Sequence, residues 1–207
     1  MSTRNGLLGM MVLLAVAGCD ENPLAAGAEG TVEVGVHSQS VQQPARHAGE
    51  DGALHSASAA NEAEGSVHVR ARVYARSTTG EWVEMTRGWT EQTVEMSGSS
   101  TMRVLTRARM ESGRYDRVRV EFERVRADVR GGTQISLGLL LGEVRVEMGS
   151  DGRATVEREA AFRVGGSGEA RLTIELNSRQ WVSRAEQSSR TVSKAEFSGA
   201  VRILAES

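Results

Sequence analysis

Every second position from Val67 to Ala75 is apolar, and His68, Arg70, Arg72, Tyr74 and Arg76 fill the places between and after. A period of two puts the two sets on opposite faces of an extended strand. The alternation recurs at Val118, Val120 and Phe122, at Val144, Val146 and Met148, and at Leu172, Ile174 and Leu176. Val156, Ala160, Phe162 and Val164 mark another strand. Trp82 to Met85, Val94 with Met96, and Met102 with Val104 mark shorter ones. Ile135 to Leu141 reads as a further strand, and Val192, Phe197, Val201 and Ile203 as the last. Glycine-bearing segments punctuate the series, at Thr78-Thr79-Gly80, Gly131-Gly132, Gly149-Ser150-Asp151-Gly152 and Gly165-Gly166-Ser167-Gly168. The third of these has the composition of a hairpin turn.

One break in phase is informative. The apolar set falls on even numbers up to Phe122 and on odd numbers at Val125, Ala127 and Val129. A strict period of two cannot hold both, so the pattern predicts a β-bulge or tight bend near Glu123-Arg124. The β-branched content argues against a helix here. Ten or so short strands, each apolar on one side only, predict an all-β domain over 66–207, an antiparallel sandwich or barrel. A membrane barrel fits poorly, because the aromatic residues that would form interfacial girdles are scarce.

Ahead of this domain the pattern is different. Residues 20–30 and 38–65 are rich in Ala, Gly, Ser, Gln, Glu and His and contain no aromatic side chain. Such segments bury too little apolar surface to offset the entropy of ordering, and they predict a disordered tether. Thr31 to Val36 alternates between them, compatible with a first strand of the domain or with an isolated stretch of tether.

The first residues carry an address. One arginine, Arg4, precedes an apolar run of about twelve residues, Gly6 to Ala17. That is too short to span a bilayer core, which needs ~20, but suits the hydrophobic region of an export signal. Val16-Ala17-Gly18-Cys19 resembles a lipobox, in which cleavage between Gly18 and Cys19 leaves a lipidated cysteine as the new N-terminus. The reading is therefore a signal peptide over 1–18, an acylated Cys19 as membrane anchor, and a location in the bacterial cell envelope. Asp20 does not choose between inner and outer membrane. Cys19 is the only cysteine, so no disulfide is available to the mature chain.

Loss of Arg4 leaves 24 basic against 27 acidic residues, a charge of about −3 that offers no broad footprint for nucleic acid. Lys194 is the only lysine. The arginine bias reads first as composition, although arginine-lined strands also suit anionic sugars or phosphates.

Gly113-Arg114-Tyr115-Asp116-Arg117-Val118-Arg119-Val120 resembles the G-x-Y-x-x-hydrophobic-R strand of an uncharacterised bacterial lipoprotein domain family of unknown function. The likeness continues through Val125-Arg126-Ala127-Asp128-Val129 to Gly168 through Leu176, and covers roughly residues 110–182. It departs near Val36, where His37-Ser38-Gln39-Ser40 replaces the family's Asp-Ala-Pro turn. The resemblance implies a Greek-key β-sandwich and a location. It implies no activity.

No motif names a reaction. Gly165-Gly166-Ser167-Gly168-Glu169 lacks the second glycine of a nucleophile elbow and a helix to follow it. His37, His47, His55 and His68 do not share a metal-binding spacing, and neither a metal site nor a cofactor is predicted. The many glutamates interleave with arginines, which points to cross-strand charge pairs on a solvated face. Tyr74, Trp82 and Trp89 are the candidate ligand-surface aromatics; Trp181 and Tyr115 are similarly suited, with core packing as the competing reading for most of the five. Function is read as a lipid-anchored, non-catalytic binding or scaffolding module for an envelope protein or glycan. The alternative is an envelope-polymer hydrolase using carboxylates that the sequence does not single out.

Overall fold

The computed structural model describes residues 28–38, 63–96, 101–132, 142–165 and 169–206. The signal peptide, Gly18, Cys19, most of the tether and the strand expected at Ile135–Leu141 lie outside them. The described chain is an all-β sandwich of two sheets.

The smaller sheet sets β1 (Glu29–Ser38) between β5 (Arg103–Glu111) and β9 (Glu169–Leu176), with β11 (Val201–Glu206) beyond β9. The segment at 31–36 is thus part of a central strand, and the sandwich takes in residues ahead of 66. β1 pairs antiparallel with β5 but parallel with β9, so the sheet is mixed rather than wholly antiparallel. Its centrality shows in its burial, with Val32, Val34 and Val36 each fully covered.

The larger sheet is built on two long strands, β2 (Ala63–Ser77) and β6 (Gly113–Gly132), paired antiparallel over their whole length. Each is flanked by two short strands laid end to end. β3 (Trp82–Glu84) and β4 (Thr90–Glu95) follow one another along β2. β7 (Gly142–Glu147) and β8 (Ala154–Val164) do the same along β6. The Gly149–Gly152 turn therefore does not form a hairpin. It steps the chain sideways and sends it on in the same direction, because β7 and β8 both run antiparallel to β6. Gly131-Gly132, expected as a turn, instead ends β6 and pairs with Ala63-Glu64. β10 (Thr191–Ser193) adds a second parallel pairing, to β7.

The predicted bulge is present. Arg70 pairs with Arg124 and Ala71 with Phe122, leaving Glu123 as the extra residue. An additional residue resets the face assignment, which is how Phe122 and Val125 both point into the core.

Two short helices pack against the core. In α1 (Ser178–Val182), the Asn177 side chain caps the first turn by accepting from the Gln180 N–H. α2 (Lys194–Gly199) has a capping box, in which Ser193 accepts from the Glu196 N–H and its hydroxyl donates to the Glu196 carboxylate. Phe197 is therefore helical rather than part of a last strand. It meets Phe122 edge-on at 5.0 Å between ring centres and Trp181 at 5.7 Å, with all three rings buried. Trp181 and Tyr115 are core residues, not surface aromatics. Tyr115 stacks on Phe162 at 5.1 Å and donates its hydroxyl to the Glu111 carbonyl, tying its strand back as tyrosine corners do in sandwiches.

On the outer side of the smaller sheet, Glu33 is 5% exposed and lies between Arg107 at 2.8 Å and Arg171 at 3.4 Å. Hydrogen bonding from Arg107 holds its carboxyl below the usual carboxylate range, with the Arg171 charge acting the same way. A pKa lower in the folded than in the unfolded chain stabilises above the ordinary glutamate range, and that contribution disappears as pH falls through the folded-state value. Glu33→Gln is expected to flatten the acid limb of the stability profile. Unfolding midpoints of wild type and variant across acid and neutral pH provide the check; parallel curves would refute the assignment.

Candidate functional site

The outer face of the larger sheet gathers the candidate chemistry. Alternation along β2 sends Arg70, Arg72, Tyr74 and Arg76 away from the core, and pairing sets β3 and β4 on one side of them and β6 on the other. Tyr74, Trp82 and Trp89, picked out separately by residue type, come together on this face, each half-buried. Tyr74 is opposite Glu84 on one side and Arg119 on the other. Trp82 does not cap the core.

Arginines cover these rings. The Arg119 guanidinium is 4.0 Å from the centre of the Trp82 ring. Arg72 and Arg153 approach Trp89 at 4.7 and 5.4 Å. Such cation–π contacts hold a guanidinium flat and turn its N–H edge toward neighbouring acceptors, which for Arg119 is Glu157 and for Arg153 is Glu121. With arginines over them, the rings are less open to bare sugar stacking than the aromatic content implied.

The half of this face toward β3 and β8 is a paired charge lattice. Arg76 grips Asp116 through two bonds of 2.7 and 2.9 Å, which hold the aspartate below its usual range. Glu157 lies opposite Arg119 and is bonded by Arg119 at 3.1 Å and Arg117 at 3.3 Å. Partial burial pushes its carboxyl up, but the two arginines outweigh this and hold it down. Arg153 reaches Glu121 at 3.5 Å. Among the described residues, the carboxylates with displaced pKa values are Glu33, Asp116, Asp151 and Glu157, and all four are displaced downward. A glycosidase acid needs the opposite shift, so these four do not provide one.

Beyond the bulge the balance changes. Two clefts flank β6 there. One, of about 80 Å³, is lined by His68, Arg70, Glu91, Thr93, Arg124 and Arg126 among others. The other, of about 300 Å³, lies against β7 with Arg124, Arg126 and Arg145 in its wall. His68 is held by Thr93 at 2.8 Å and by Ser66 at 3.3 Å. Among the described residues, no group of three His, Cys, Asp or Glu side chains is placed to hold a metal ion.

Sequence reasoning identified the aromatics but not the arginines that organise them. Alternation showed that Arg72 and Arg119 face outward, but no local signal links either to a particular tryptophan. No family model, curated protein or solved structure matches this chain.

Proposed function

We propose that this chain is a lipid-anchored protein of the bacterial cell envelope whose sandwich is a non-catalytic binding module, working through the outer face of the larger sheet. The observation that carries the reading is the convergence of Tyr74, Trp82 and Trp89 with Arg72, Arg119 and Arg153 on one face. Aromatic and arginine side chains supply much of the binding energy of protein interfaces. The Val16-Ala17-Gly18-Cys19 motif supports the anchor. The ligand is an envelope component with anionic groups.

Membrane fractionation with cross-linking in cells tests both halves. Cys19→Ala is expected to abolish the lipid adduct seen by mass spectrometry of the wild-type N-terminus. Trp89→Ala is expected to stay membrane-bound and to lose the cross-linked species. An unmodified wild-type Cys19 would overturn the anchor. Cross-linking unaffected by Trp89→Ala would overturn the binding face.

A further inference from the structure

We infer that the bulged part of the outer face is a phosphate site, with Arg124 and Arg126 as the paired clamp. This deepens the reading of that face as a binding surface and rests on it. Toward β8, the pairing sets opposite charges against each other, as with Arg117 and Glu159 or Arg119 and Glu157. Around the bulge it sets like charges together: Arg70 opposite Arg124, and Arg126 opposite Arg145. Directly opposed like charges destabilise a sheet unless something lies between them.

Internal acids relieve only part of this. Arg70 is 3.1 Å from Glu123 and 3.7 Å from Glu91. Arg126 and Arg145 share Glu143, at 3.5 and 3.1 Å. Arg124 is exposed and forms no ion pair with a described residue. Arg124 is thus the one of these four arginines without a carboxylate partner among the described residues. The bulge is what puts it here. Without the extra Glu123, Arg124 and Arg126 would fall on the core side of the strand.

Chemistry selects the anion. Arg124 and Arg126 are two apart on one face, roughly 7 Å along the strand, a spacing from which two guanidinium forks converge on one group. A carboxylate has only two oxygens to divide between two forks, as Glu143 does between Arg126 and Arg145, whereas a phosphate offers each fork its own pair. The 80 Å³ cleft beside them has room for a few water molecules or one such oxyanion. His68 is fixed by Thr93 and Ser66, so both its ring nitrogens are already engaged.

Calorimetric titration of the mature chain with inorganic phosphate tests the site. Saturable binding is expected, weakened about tenfold (~1.4 kcal/mol) in Arg124→Ala and in Arg126→Ala. Arg202→Ala, exposed on the other sheet, is expected to bind as wild type. Glucose 1-phosphate separates the sources. Tighter binding than free phosphate identifies a sugar-borne phosphate, and weaker binding identifies the free anion, with the site supported in both cases. Absence of phosphate binding, equal binding by Arg124→Ala, or acetate binding as well as phosphate would overturn it. None of these readouts depends on the anchor or on cross-linking. The site and the broader functional reading can therefore fail separately.

Discussion

Replacing Phe197 with alanine is expected to lower the unfolding free energy by about 3–5 kcal/mol, the usual cost of emptying a buried aromatic position. The ring joins elements that have little else in common. It is on α2, which connects β10 of the larger sheet to β11 of the smaller, and packs edge-on against Phe122 at 5.0 Å and Trp181 at 5.7 Å. All three side chains are at most 1% exposed, so no solvent can relax into the space left behind. Two edge-to-face contacts would be lost together with the buried area. For a domain of this size, about 2–4 °C accompanies each kcal/mol, giving a fall of roughly 6–20 °C in melting temperature. Urea unfolding of wild type and variant measures the difference directly. A change below about 1 kcal/mol would mean that α2 is a loosely attached connection and does not close the core.

A fragment beginning at Ser66 is expected not to fold, whereas one beginning at Ala28 is. The excised strand would remove Val32, Val34 and Val36, all fully buried. Burying a valine contributes about 1.5–3 kcal/mol, so the three together contribute about 5–9 kcal/mol, comparable with the whole stability of an ordinary domain. The loss is not confined to apolar area. β1 is bonded on both sides, to β5 and to β9, so its removal splits the smaller sheet and exposes two strand edges. Its end is also pinned, by a hydrogen bond between the Ser38 and Ser178 hydroxyls. Far-ultraviolet circular dichroism and urea titration of both fragments make the comparison. Partial recovery on adding a synthetic peptide of residues 28–40 would show directly that this strand is the missing part. A cooperative transition for the 66–207 fragment at the wild-type midpoint would refute the central placement.

These expectations differ in how far local sequence could have supplied them. The bulge was legible because a phase change between Phe122 and Val125 is a property of consecutive residues, and the structure places the extra residue at Glu123. Thr31 to Val36 was legible as a strand but not as part of the sandwich, since alternation says nothing about what lies on either side. Its parallel partner β9 begins some 130 residues later. Gly149-Ser150-Asp151-Gly152 has the composition of a hairpin turn, yet whether a tight turn reverses the chain or steps it sideways depends on the strand beside it. Here β6 takes both flanking segments on one edge. The Ser193-Lys194-Ala195-Glu196 capping box was in the sequence, and it is the local signal that separates Phe197 from the strand that follows.

By itself, the sequence determined the all-β character, the outward and inward faces of β2 and β6, and the position of the bulge. Each follows from a side-chain period that only neighbouring residues need satisfy. Only the tertiary structure decided which tryptophan is core and which is surface. Trp82 and Trp181 are chemically identical, and burial is set by the distant elements that cover them. The same holds for Arg124. Its charge is in the sequence, but its lack of a counter-ion among the described residues follows from a register that sets Arg70 opposite it and commits the nearby glutamates to other arginines.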